Sequence, residues 1–118
     1  MAFHQNINKL TKSNDLFRKE IVTTEHSQVV LMSLLPGEDI GMEIHNVDQT
    51  LVFVEGTGEA VIDDAKYEIN PGDMFVVPMG SSHNFINTNA IKLKLFTVYA
   101  PPEHKPGTVE EIKDKESD

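Results

Sequence analysis

Glu43 and His45 stand two residues apart, so on an extended strand both side chains leave the same face. After a short Asn46-Val47-Asp48 turn, Gln49 opens a segment in which it alternates with Leu51 and Phe53. His83 opens a later segment with Phe85 and Asn87 on its face. One carboxylate, two imidazoles and one amide form a set of nitrogen and oxygen donors. Imidazole and carboxylate hold divalent cations or move protons near neutral pH, and an amide carbonyl adds a weaker neutral donor. A barrel that turns these segments inward brings the four donors together in an otherwise apolar cavity. The chain has no cysteine, which excludes disulfides, thiolate metal sites and a cysteine nucleophile; any transition metal must be held by nitrogen and oxygen.

Positioning such donors is the work of short strands. Between residues 21 and 99 the sequence is a series of β-type runs, expected over 21–24, 28–35, 40–45, 50–55, 59–62, 66–69, 73–77, 82–87 and 91–99. Pro36-Gly37, Gly56-Thr57-Gly58, Asp63-Asp64, Asn70-Pro71-Gly72 and Pro78-Met79-Gly80 separate them with turn chemistry. This pattern predicts an all-β sandwich or barrel, and 118 residues leave room for a single core. The expected organisation is an N-terminal extension over 1–20, a barrel over 21–100 and a polar C-terminal tail over 101–118. The extension carries weak apolar spacing at Ile7, Leu10, Leu16 and Phe17 that fits either a helical turn or an edge strand. The tail, low in hydrophobicity and rich in charge, is expected to be loosely docked or disordered.

In the run 28–35 one face carries Gln28, Val30, Met32 and Leu34 and the other Val29, Leu31, Ser33 and Leu35; in 50–55, Leu51 and Phe53 oppose Val52 and Val54. A small barrel has one inside, so the second apolar face calls for a cover, either a second copy in a homodimer or the chain's own N-terminal segment. A net charge of −9 argues against nucleic acid and anionic membrane as partners. The first twenty residues lack the apolar core of a signal peptide, and no window approaches a membrane span, so a cytoplasmic location is expected.

The spacing Gly37-x5-Glu43-x-His45-x3-Gln49-x6-Gly56 resembles the first cupin motif, G-x5-H-x-H-x3,4-E-x6-G. Gly72-x5-Pro78-x-Gly80-x2-His83-x3-Asn87 resembles the second, G-x5-P-x-G-x2-H-x3-N, at every fixed position. The resemblance implies a double-stranded β-helix (jelly-roll) barrel holding one divalent metal ion through Glu43, His45, Gln49 and His83. Glu, His, Gln and His thus stand where the family has His, His, Glu and His. The site keeps one carboxylate but relocates it, and donors without sulfur suit Mn, Fe, Ni, Co or Zn. Gln49 is the weakest donor; its alternative is a hydrogen bond to His45 or to a bound ligand.

Cupins include isomerases, dioxygenases, decarboxylases and non-catalytic binding proteins, so the resemblance does not select a reaction. The first reading is a metal-dependent enzyme on a small oxygen-rich substrate, as in sugar or uronate isomerisation, with Glu43 as the candidate general base. An Fe(II)-dependent dioxygenase and a non-catalytic small-molecule binding protein are the alternatives. Inward positions supply few further titratable groups, which weighs against acid/base chemistry. Candidate pocket residues are Gln28, Met32, Phe53, Phe85, Asn87 and Tyr99, with local backbone bonding the alternative for Asn87. Met42 is expected in the core, and His4, His26 and His104, outside both motifs, have no expected role.

Overall fold

The computed structural model describes residues 2–113. A short helix α1 (Ile7–Ser13) precedes ten strands: β1 (Arg18–Thr23), β2 (Gln28–Leu34), β3 (Glu43–Ile44), β4 (Asp48–Glu55), β5 (Gly58–Ile62), β6 (Ala65–Ile69), β7 (Met74–Val77), β8 (Ser82–Ile86), β9 (Leu93–Ala100) and β10 (Val109–Glu110). They form a six-stranded sheet in the order β10-β1-β2-β9-β4-β7 and a four-stranded sheet in the order β3-β8-β5-β6. Every pairing is antiparallel. The two sheets close as the jelly-roll barrel that the motifs implied, and each expected run contains a strand.

Alternation sets the interior. Along β4, Gln49, Leu51 and Phe53 are buried, and along β9, Leu93, Leu95, Thr97 and Tyr99 are buried. Phe53, Phe75 and Phe85 fill one end of the barrel, with ring centroids 5.5–5.8 Å apart. Phe53 and Phe85 are wholly buried, each contributing roughly 1.5–3 kcal/mol of burial free energy.

The extension resolves into a helix rather than an edge strand. Asn6 caps it by accepting from the Lys9 N–H at 3.0 Å, and Asn14, with extended backbone, ends it. It lies on the outer face of the six-stranded sheet, where Lys94 Nζ donates to Lys12 O at 2.6 Å and to Asp15 Oδ1 at 3.0 Å. Leu31 and Ser33 on that face are buried, so the N-terminal segment supplies part of the expected cover. Farther across, Met74 and Val76 on β7 stay exposed. The polar tail is a correction. Instead of hanging loose, its described part (101–113) runs back over the barrel, where β10 pairs with β1 and Lys113 Nζ meets Asp39 Oδ1 at 2.6 Å; residues 114–118 lie outside the described residues.

The motif glycines occupy left-handed turns, but the tightest approach is at Gly58 on β5, where a Cβ would sit 2.2 Å from the Ile86 carbonyl oxygen. Backbone on the neighbouring strand cannot yield as a side chain can. Gly58→Ala is therefore expected to lower the unfolding free energy by about 3 kcal/mol. Gly72→Ala, whose Cβ meets nothing within 4 Å at φ +94°, should cost only about 1 kcal/mol for its left-handed backbone. Urea midpoints compare the two, and equal midpoints contradict the expectation.

Candidate functional site

The site is built where the two motifs meet. Glu43 on β3 and His83 on β8 are direct cross-strand partners, so both enter the barrel at one level. The short β3 is held from below by Ile40 N–H donating to Phe85 O at 3.0 Å and Gly41 N–H donating to Asn84 Oδ1 at 2.9 Å. His45 follows β3, and its carbonyl accepts from Gly80 N–H at 3.0 Å. Asp48 Oδ1 accepts from Met79 N–H at 2.9 Å. The Pro78–Gly80 turn of the second motif thus clamps the histidine loop of the first. Gln49 comes from the other sheet, paired with Tyr99 of β9.

One donor atom each from Glu43, His45 and His83 lies within 4.8 Å of the others, a separation that a single cation can bridge. The two imidazole rings are 5.2 Å apart, and His45 Nε2 is 2.7 Å from Glu43 Oε2. Two buried atoms test whether an ion fits. His83 Nδ1 lies 3.1 Å from Ser81 O, which makes it the N–H donor and leaves Nε2 with a bare lone pair; that Nε2 is buried without a partner. Gln49 Nε2 donates to Thr97 Oγ1 at 3.1 Å, leaving its buried Oε1 likewise unpaired. A buried acceptor without a donor costs about 1–3 kcal/mol, and a cation held by the cluster would satisfy the His83 nitrogen. The donors therefore fit a divalent ion. Glu103 Oε2 lies 3.1 Å from His45 Nδ1 and would orient that ring.

Environment separates the two imidazoles. The hydrogen bond that Glu43 accepts raises His45 above the ordinary imidazole range, against burial, with Glu103 adding to the rise. Burial lowers His83, favouring its neutral ring. Burial also pushes Glu43 up, but hydrogen bonding and charge from His45 prevail and leave it below the usual glutamate value. Tyr99, fully buried, is raised far above its usual value by loss of water, so its hydroxyl stays protonated.

Of the expected pocket residues, Met32, Phe53, Phe85 and Tyr99 belong to the packed core; Tyr99 and Phe85 still touch the site, with ring centroids 5.8 Å from His45 and 6.0 Å from His83. Asn87 is spent on backbone, donating to Leu34 O and Ile91 O and accepting from Asn89 N–H. Gln28 is also a correction. Its Oε1 accepts from the Glu103 and His104 N–H groups and its Nε2 donates to His104 O and Thr23 Oγ1, so it fastens the tail rather than reaching a ligand. The open cavity lies at the barrel mouth, about 430 Å3, lined by Arg18, Met42, Glu43, Ile44, His45, Glu103 and His104. Met42 is exposed rather than core, and His104, assigned no role from sequence, is a wall of the site. Sequence reasoning missed Arg18, Glu103 and His104. The available signal was Gln28, a polar residue on an apolar strand face that had to find partners somewhere.

Residues 30–99 match the Cupin domain family. YrkC, an uncharacterized protein of Bacillus subtilis, is 48% identical over 94% of this chain and 63% of its own length. L612 of Acanthamoeba polyphaga mimivirus, also uncharacterized, is 40% identical over 89% of this chain and 69% of its own. This chain therefore spans about two thirds of the length of these relatives. Among solved structures, BH2720 from Bacillus halodurans has a TM-score of 0.92 at 41% identity, covering 94% of this chain and 89% of that one. An RmlC-like cupin with a double-stranded β-helix fold from Methanocaldococcus jannaschii has a TM-score of 0.66 at 26% identity, covering 71% and 78%.

Gln28→Leu keeps the volume of the side chain and deletes every one of its bonds to the tail. It is expected to strand the Glu103 and His104 backbone groups and to cost about 2–4 kcal/mol. Hydrogen exchange at those amides should rise well before the barrel strands open; unchanged protection would contradict the staple.

Proposed function

The chain belongs to the cupin family, and on that premise we propose that it binds one divalent metal ion at Glu43, His45, His83 and Gln49 and uses it in isomerase-like proton transfer on a small oxygen-rich molecule. The observation that carries the reading is the buried, unpartnered Nε2 of His83, a residue that clusters with His45 and Glu43. When bound, the ion supplies a Lewis acid that polarises adjacent carbonyl and hydroxyl oxygens. The protein's own share is to fix His83 through Ser81 O and His45 through Glu103, and to hold a proton at the mouth. The shortage of titratable groups that weighed against such chemistry is relieved by the tail segment 101–113, a strap across the barrel mouth, since Glu103 and His104 join Glu43 in the cavity wall. Glu43 belongs to both the cluster and the wall, and when it is not held on the ion it is the group to take up a proton from substrate.

Two imidazoles and one carboxylate also match the ligand set of non-haem Fe(II) oxygenases, which supports dioxygenase chemistry as the second reading. Non-catalytic binding is the third.

Ion uptake is expected to be proton-linked. Because His45 is raised in the folded protein, its charged form stabilises the metal-free barrel below the ordinary imidazole value, and that contribution fades as pH climbs through the raised one. The ion needs the neutral ring, so affinity should increase with pH over the same window, with a proton released on binding. Calorimetry in two buffers of different ionisation enthalpy measures that proton; identical heats would count against it.

His45→Ala and His83→Ala should each remove about one equivalent of metal, by elemental analysis, while the far-ultraviolet dichroism stays that of the barrel. Full metal content in both variants rejects the site. With metal bound, a panel of hydroxyketones and uronates in deuterated water should show solvent deuterium entering carbon positions. Iron-dependent oxygen uptake without exchange favours the dioxygenase, and neither activity leaves the binding protein.

A further inference from the structure

Among the described residues, four buried side-chain atoms lack a hydrogen-bond partner: Gln49 Oε1, His83 Nε2, Arg18 Nε and His104 Nε2. His83 is in the Glu43–His45–His83 cluster, and Gln49 is the fourth ligand of the proposed function. Arg18 and His104 are not ligands in that set, yet both line the mouth cavity of about 430 Å3 beside Glu43 and His45. The Arg18 side chain is only 9% exposed, and its inward direction follows from β1–β2 pairing, where it stands opposite the buried Met32. One guanidinium nitrogen, Nη1, is paired with Glu110, and the group lies 5.1 Å from the Phe17 ring centroid. His104 is held by backbone bonds to Gln28, with its ring 5.2 Å from Tyr99.

A buried guanidinium with one edge on a carboxylate and an N–H left without an acceptor is incomplete, because its planar fork is built to serve acidic oxygens. The nearby acids are already engaged: Glu43 and Glu103 face His45, and Glu110 faces Arg18. We propose that Arg18 and His104 form a carboxylate-recognition edge on the mouth cavity. The molecule this barrel takes is then a small organic acid carrying a neighbouring hydroxyl or carbonyl, rather than a neutral sugar. The inference rests on the reading of the cluster as a metal site, since the ion would hold the neighbouring oxygen while Arg18 and His104 hold the acid. The cavity volume accommodates an acid of a few carbons.

The probe is L-lactate against lactamide, which match in shape and differ in charge, titrated calorimetrically into the protein as purified, with metal content measured on the same sample. Lactate should bind about tenfold or more tightly than lactamide. Arg18→Gln and His104→Leu should each weaken lactate by about tenfold while leaving the metal content unchanged. His104→Leu keeps the test alive if the loss of the Arg18–Glu110 pair unfolds the other variant. Equal binding of lactate and lactamide, or variants that hold lactate as tightly as the natural chain at full metal content, overturns the proposal and leaves the metal reading intact. A protein without metal fails the metal reading instead. In that protein an Arg18-dependent preference for lactate still supports the acid edge, and its absence overturns it.

Discussion

His83 Nε2 and Gln49 Oε1, buried and without partners, are the feature around which the fold is arranged. A barrel of this size has one interior, and most of it is filled conventionally by Phe53, Phe75, Phe85 and the leucines of β2, β4 and β9. Leaving acceptors bare at the other end works against folding by about 1–3 kcal/mol for each. The arrangement persists because it is over-determined by backbone. The β3–β8 register sets Glu43 against His83, the Gly80 N–H holds the His45 carbonyl, and Ser81 O fixes the tautomer of His83. None of those restraints depends on what fills the site, so the donors are aligned before any ligand arrives.

The same layer shows how one residue type can serve two ends. Gln28 on β2 and Gln49 on β4 both pair with Tyr99 of β9, so the two amides flank one tyrosine on the inner face of the sheet. Gln28 spends both amide ends on Thr23 and the backbone of residues 103 and 104, whereas Gln49 gives one end to Thr97 and keeps the other. The first converts a polar tail into a wall of the site. The second stays available to an ion. Both are buried and neutral, and only the presence of the strap distinguishes their roles.

Strand positions and the inward set were legible because period-2 alternation and turn residues act locally: Gln49, Leu51 and Phe53 share a buried face as their spacing required. The cluster of Glu43, His45 and His83 was legible through motif spacing, which encodes register across β3 and β8. The mouth was not. Glu103 and His104 follow a proline pair in a stretch whose charge and low hydrophobicity fit a solvated tail, and what holds them is a few long-range bonds with Gln28, supported farther along by Gly107 N–H donating to Glu20, that leave no periodic trace. Arg18 was hidden for a related reason. Its strand begins at residue 18 instead of 21, since residues 18–20 pair with β2 on one side and the first two also pair with β10 on the other, a long-range contact.

The strap also divides the molecule along a line that matters for how such proteins diversify. The segment shared with the family, 30–99, contains every donor of the ion cluster, while Arg18, Glu103 and His104 lie outside it. The donor cluster and the mouth walls Arg18, Glu103 and His104 are therefore carried by different stretches of chain. A change in Arg18, Glu103 or His104 alters the shape and charge of the mouth while leaving the β3–β8 register that sets Glu43 against His83 untouched.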